Sequence, residues 1–169
     1  ILNEFPKTKL VLVGYGPKEA ELKSQTKKLA LGNHIIFVGG KSRLELSHYY
    51  ATADIFIGPS IVAKGGDTEG QPAAFIEAMA SKTAIIASDV GGIKDMIEDG
   101  KTGLLVPQKD SGQISKAITT LCKDNTLKQH LEENGKQHIM KKFRWKAVAQ
   151  QYMSIYEIID KNLETSSPS

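Results

Sequence analysis

The chain is short of the residues that make covalent or metal scaffolds. Among its 169 residues Cys122 is the lone cysteine, which excludes an internal disulfide or thiolate metal cluster and points to a reducing, cytosolic setting. Its neighbours Ile118 and Leu121 make Cys122 an expected core filler. Arginine is nearly absent too, occurring only at Arg43 and Arg144. Lysine supplies the remaining positive charge and is the poorer residue for bidentate reading of phosphates or bases. The net charge of +3, from 22 basic and 19 acidic residues with no long block of one sign, adds no nucleic-acid signal. No apolar run approaches the ~20 residues that span a bilayer, and the start lacks the basic and apolar regions of a signal peptide. The chain is therefore expected to be soluble.

What is present is an alternation of short apolar runs and helical patterns. Lys9–Gly14, Ile35–Gly39, Asp54–Gly58, Ala84–Ser88 and Gly103–Val106 are apolar without alternation, as strands covered on both faces are. Between them, Pro17–Leu31, Arg43–Ala51, Pro72–Ser81 and Gly92–Glu98 carry apolar residues at helical spacing. The order predicts an α/β fold: a Rossmann-like parallel sheet with helices on both faces. Three further helices are predicted at Ser111–Lys123, Thr126–Lys142 and Trp145–Asn162. One domain is expected over residues 1–162, followed by a polar, disordered tail at 163–169. Ile1–Pro6 reads as the end of an apolar helix running into a proline, so something is expected upstream.

The segment after the third run has the composition of a ligand loop. Ligands of open parallel sheets sit beyond the carboxyl ends of the strands. There Lys64–Gly70 is rich in glycine and polar residues, and Pro72 opens a helix. With proline in the first turn, the NH groups of Ala73, Ala74 and Phe75 are expected to point outward, and with the helix dipole they favour an anion such as phosphate. Glu69 precedes the helix and Glu77 lies about one and a half turns into it. Carboxylates repel phosphate but accept hydrogen bonds from hydroxyls. A ligand with phosphate in the middle and hydroxyls at both ends fits, which describes a nucleoside diphosphate sugar. The same residues also fit an ordinary βα loop, with Glu69 favoured by the dipole and Glu77 solvated.

Glu69-Gly70-x-Pro72 followed by Glu77-Ala78-Met79-Ala80 resembles the motif of two glutamates seven residues apart in retaining GT-B enzymes of glycosyltransferase family 4. Leu12–Pro17, Phe37–Gly39, Ala53–Ile55, Pro59-Ser60, Asp67–Gly70, Asp89–Ile93, Glu98–Gly100 and Lys101–Pro107 each resemble family segments in the expected order. The resemblance is to the carboxy-terminal donor-binding domain alone and covers nearly the whole chain. It implies that Glu77 accepts hydrogen bonds from the ribose. Glu69 would bind donor-sugar hydroxyls, aided by the NH groups of Gly70 and Gln71, as the catalytic residue of this half. The NH groups of Ala73 and Ala74 would hold the diphosphate. The turns at Gly14 and Gly16 and around Gly39-Gly40-Lys41 would border the nucleotide, the latter near the base.

Several departures limit the transfer. Lys82-Thr83-Ala84 stands where the family commonly has Gly-x-Pro, Asp95 stands where Glu is usual, and the strand and helix that bring an Arg and a Lys to the diphosphate have no counterpart ahead of Leu10. Those cations stabilise the departing diphosphate, so this chain alone is expected to be inactive. The resemblance implies a full-length hexosyltransferase with an amino-terminal acceptor domain, using a UDP-, GDP- or ADP-linked sugar and neither cofactor nor metal. Cell-surface polysaccharide or glycolipid assembly, in the cytoplasm or at the inner membrane face, would be its setting. Two other readings compete: a stand-alone nucleotide-binding or regulatory module, and a GT-B sugar-nucleotide epimerase.

Other features carry less. Gly14-x-Gly16 begins a dinucleotide fingerprint, but Glu19 occupies its third glycine position, so a tight strand-to-helix turn with Pro17 in the first helical turn is expected instead. His34, His48, His130 and His138 lack metal-ligand spacing. Gly91-Gly92 fits close packing as well as ligand contact, and Trp145 resembles the family's aromatic anchor and is expected to pack.

Overall fold

The computed structural model describes residues 1–66, 68, 70, 72–144, 146, 148–150, 152–156 and 159. The chain runs β1 (Leu10–Val13), α1 (Glu19–Lys28), β2 (Ile35–Gly39), α2 (Arg43–Thr52), β3 (Ile55–Gly58), α3 (Ala73–Ala80), β4 (Ala84–Ser88), α4 (Ile93–Met96), β5 (Leu104–Val106), α5 (Ser111–Lys123) and α6 (Asn125–Lys142). Each expected strand, and each expected helix up to Lys142, is present, with no end shifted by more than three residues. Beyond α6, helical backbone recurs at 146, 148–150, 152–156 and 159, within the predicted Trp145–Asn162 helix. Trp145 itself and the tail at 163–169 lie outside the described residues.

All strand pairs are parallel, as uninterrupted apolar runs predict. The expected single sheet is divided, however, into β1-β2 and β3-β4-β5. Among the described residues β1 bonds only β2, and β3 bonds only β4. Leu10, Val11, Val13 and Ile36 are exposed rather than covered on both faces. An apolar run marks a strand; it does not say what covers it.

The core forms around β4, whose residues are all buried. Side chains alternate across a strand. Ile85 and Ala87 accordingly pack with Phe75 and Met79 of α3, Ile93 and Met96 of α4, and Ile139 of α6. Ala84 and Ile86 pack instead with Val106, Ala117 and Leu121, and Leu131 of α6. Helices therefore cover both faces of this sheet, as expected for the fold class. Cys122 is not the core filler expected: it is exposed. Each helical residue turns about 100° from the last, so Leu121 takes the inward position and carries Cys122 off the apolar stripe.

Two helix ends use a device without a sequence flag. After α1, Leu31 N donates to Thr26 O at 2.9 Å and Ala30 N to Lys27 O at 3.1 Å, with Ala30 at φ 55°. After α3, Thr83 N donates to Ala78 O and Lys82 N to Met79 O, both at 3.1 Å, with Lys82 at φ 60°. Both are Schellman ends, which usually carry glycine at the left-handed position. Neither does here, and the sequence reading ran the first helix on to Leu31.

Candidate functional site

The carboxyl ends of β1, β2 and β3 bring the candidate residues to one edge of the molecule. At β1, Gly14 has φ 125°, a conformation open to glycine, and its NH donates to Gly39 O at 2.9 Å. This ties the Gly14–Gly16 turn to the end of β2. Pro17 precedes the helix rather than opening it, since Lys18 is the N-cap of α1.

At β2 the backbone turns through Gly39, at φ 68°, and Gly40 into α2. Ser42 caps that helix with a capping box: its Oγ accepts from Glu45 N, and its NH donates to the Glu45 carboxylate at 2.9 Å. Hydrogen bonding from Ser42 holds the Glu45 carboxyl below the ordinary range. Lys41, expected beside the nucleotide, has Nζ 3.8 Å from Glu45 Oε1 and is partly buried.

At β3 the loop returns through Gly70 and Pro72 into α3. Pro72 is the N-cap, with ψ 125°, rather than the first helical residue expected. Proline has no side-chain group that can cap, and among the described residues the helix start has no side-chain cap hydrogen bond. Of the three NH groups expected to face outward, that of Phe75 is engaged, donating to Pro72 O at 3.1 Å. Ala73 is exposed and Ala74 half-buried, so small side chains line the approach to the helix start. Glu69 and Gln71 lie outside the described residues.

Gly92 seats this loop from below. A Cβ at Gly92 would lie 2.3 Å from Gly70 O, so close packing accounts for that glycine. A Cβ at Gly58 would fall 2.0 Å from Phe75 Cζ, so β3 ends in glycine to admit the Phe75 ring.

Glu77 is the best-defined side chain at this edge. Its side chain is 28% exposed, and Oε1 lies 3.4 Å from Arg43 Nε at the start of α2. Tyr50, also on α2, brings its phenol to the same carboxylate. Burial pushes the Tyr50 phenol above its ordinary value of 10.0, and the charge of Glu77 and a hydrogen bond to it push in the same direction. The Tyr50 ring is held edge-on to Phe56 at 5.9 Å, and Phe56 edge-on to Phe75 at 5.2 Å. Thr83 Oγ1 donates to Tyr50 O at 2.6 Å. An acidic group is thus held on the first turns of a helix whose start has no side-chain cap among the described residues. Arg43 and Tyr50 were not singled out in the sequence; their roles depend on α2 packing against α3, which spacing does not reveal.

The histidines do not gather. His34 Nδ1 lies 3.0 Å from Thr8 O, His130 Nε2 lies 2.9 Å from Asn134 Nδ2, and His138 Nδ1 lies 3.5 Å from Glu98 Oε1. Among the described residues no group of three or more His, Cys, Asp or Glu is placed to hold a metal ion. No helix among them is long and apolar enough to cross a membrane.

Parallel strands flanked by helices, with a helix start at the carboxyl edge, define the Rossmann-like carboxy-terminal half of a GT-B fold. Residues 1–138 match the family described as glycosyl transferases group 1, and the chain belongs to it. It is 30% identical over 159 residues to a phosphatidyl-myo-inositol mannosyltransferase of Mycobacterium leprae, a match covering 94% of this chain and 40% of that protein. It is 30% identical over 141 residues to a GDP-mannose-dependent alpha-(1-6)-phosphatidylinositol monomannoside mannosyltransferase of Mycobacterium tuberculosis, covering 83% and 37%. Among solved structures it is similar to the C-terminal domain of a glycosyl transferase group 1 family protein (LpcC) of Francisella tularensis. That match has a TM-score of 0.72 and 29% identity, and covers 85% of this chain and 74% of that one. The chain thus spans about 40% of the length of the curated relatives it matches.

Proposed function

We propose that this chain is the donor-binding domain of a retaining glycosyltransferase of family 4, which moves a hexose from a nucleoside diphosphate sugar to an acceptor. The observation that carries the reading is the coupling of Glu77 to the start of α3. Among the described residues the helix start has no side-chain cap, and Glu77, within the same short helix, is held by Tyr50 and Arg43 of α2. The helix dipole and the outward NH groups of Ala73 and Ala74 suit a diphosphate. The Glu77 carboxylate suits the vicinal hydroxyls of a ribose, which donate where phosphate cannot. Glu69 is assigned to the sugar hydroxyls, with Gly70 and Gln71 beside it. The turns at Gly14 and Gly16 and at Gly39 and Lys41 border the nucleoside.

Transfer needs groups that stabilise the departing diphosphate and a surface that presents the acceptor. We assign both to the full-length protein, together with an amino-terminal acceptor domain and a place in surface polysaccharide or glycolipid synthesis at the cytoplasmic membrane face. The dependence of one relative on GDP-mannose supports a nucleotide-sugar donor. A thermal-shift screen of the chain against UDP-, GDP- and ADP-sugars tests the reading. A ligand at 100 times its dissociation constant stabilises the folded state by about 2.7 kcal/mol, and at least one of the three is expected to do so. No shift with any of them would remove the donor role.

A further inference from the structure

Tyr15 stands out among the aromatic residues. It lies at the carboxyl edge of β1 and is 81% exposed. A Cβ at Gly39 would come within 3.0 Å of Tyr15 Oη and 3.1 Å of Cε1, and a Cβ at Gly40 within 2.6 Å of Cε2 and 3.1 Å of Cδ2. Both edges of the ring thus approach the two glycines, and the ring bridges the Gly39-Gly40 peptide. Gly39 is a glycine by conformation, at φ 68°. Gly40 is not among the residues with positive φ, so its backbone does not demand glycine. What a side chain at Gly40 would meet is the Tyr15 ring. The turn is shaped to seat the ring on one side, while the remainder of a large apolar surface faces solvent.

The seat is linked to Glu77 by the turn that follows it. From Gly40 the chain passes through Lys41 and Ser42 to Arg43, a span of at most ~10 Å, and Arg43 Nε meets Glu77 Oε1 at 3.4 Å. The ring's seat and the carboxylate are therefore joined through one short turn and one side-chain contact. Resting on the donor-binding reading, we propose that Tyr15 is the platform on which the base of the donor nucleotide stacks while Glu77 holds the ribose. Stacking recognises the π-face that every base has. Tyr15 thus contributes affinity for nucleotides over free sugar phosphates, and the Gly39–Lys41 backbone is left to read the base edge.

The test is calorimetric titration of the chain, and of its Tyr15→Ala, Tyr15→Phe and Gly40→Ala variants, with UDP, GDP, ADP and the base-free ribose 5-diphosphate. Removing an aromatic platform costs ~1–3 kcal/mol per stacked base, which is a loss of about 5- to 140-fold in affinity. That loss is expected in Tyr15→Ala for whichever nucleoside diphosphates the unaltered chain binds, with Tyr15→Phe retaining their affinity. Gly40→Ala, which displaces the ring, should weaken the same ligands. Ribose 5-diphosphate should bind the unaltered chain and Tyr15→Ala equally. Unchanged nucleotide affinity in Tyr15→Ala, or equal weakening of the base-free ligand, would overturn the platform and leave the donor-binding reading standing. If the unaltered chain binds none of the four, the donor-binding reading fails and the platform with it.

Discussion

The Nε of Arg43 lies 3.4 Å from Oε1 of Glu77, joining the first residue of α2 to the middle of α3. The Arg43 side chain is 90% exposed, so the contact contributes little to stability. Its consequence is for binding, because the guanidinium sits beside the oxygen that a ribose hydroxyl would use. Hydrogen bonds to a charged group are worth ~1.5–3 kcal/mol, so Glu77→Ala should weaken nucleoside diphosphate binding by about 10- to 140-fold. Arg43→Ala should leave that affinity unchanged or tighten it. Isothermal titration of both variants decides the matter, and equal losses in the two would show that the ion pair, not the carboxylate, is what the ligand needs.

Tyr50 reports on the same carboxylate. Its phenol is raised first by burial and then by the negative charge of Glu77 and a hydrogen bond to it. A phenol raised in the folded state contributes stability below its unfolded value of 10.0 and loses it as pH rises through the folded value. Glu77→Gln removes the charge while keeping an acceptor. Ultraviolet titration should therefore show one tyrosine ionising at lower pH in that variant, still above the ordinary value because burial persists.

Much of this arrangement was legible beforehand, and the rest was hidden for identifiable reasons. The strands Ile35–Gly39 and Ala84–Ser88 and the helix Ser111–Lys123 have the bounds their apolar patterns predict. Glu77 could be singled out because an anion site and a carboxylate at helical spacing are local facts. The partners of Glu77 are not local, since Tyr50 and Arg43 arrive on another helix. The division between β1 and β3 was equally invisible, because strand adjacency is a property of topology. The sequence places Pro72 one position, and Pro17 two positions, too far into their helices. Proline favours a helix start without fixing whether it is the cap or the first turn.

His138 should give the fold a measurable acid sensitivity. Its side chain is 9% exposed, and Nε2 is buried without a hydrogen-bond partner. Burial lowers its affinity for a proton below the ordinary value of 6.5, Lys142 lowers it further, and Glu98 acts in the opposite direction. The unfolded chain then binds the proton more readily than the folded one. Stability is present above pH 6.5 and is lost as pH falls from there through the lower folded value. In denaturant melts between pH 7.5 and 5, His138→Leu should show a shallower pH dependence than the unaltered chain. An unchanged slope would place the acid sensitivity elsewhere.

The Schellman end of α1 predicts a stabilising substitution. Ala30 holds φ 55°, a left-handed conformation costing an L-residue about 1–2 kcal/mol, while glycine's greater unfolded freedom takes back roughly 0.5–1 kcal/mol. Ala30→Gly should therefore raise stability by about 0.5–1 kcal/mol in urea melts. Lys82, at φ 60° after α3, has an added ion pair to Glu133 at 2.5 Å, so Lys82→Gly should gain less than Ala30→Gly.

Gly92 links packing to binding. A methyl group there would lie 2.3 Å from Gly70 O and 2.9 Å from its carbonyl carbon, both backbone atoms of the loop that leads into α3. A flexible side chain could swing away; a backbone carbonyl moves only with its loop. Overpacking of this kind costs about 1–3 kcal/mol where the surroundings are rigid. Here the loop is exposed at Gly70, so displacement is the easier response. Gly92→Ala should then lower the unfolding temperature only slightly while weakening nucleoside diphosphate binding, because the loop that is pushed out carries the approach to Ala73 and Ala74. The reverse pattern, a large loss of stability with affinity intact in the folded fraction, would mean that the loop holds its place and the strain falls on α4 instead.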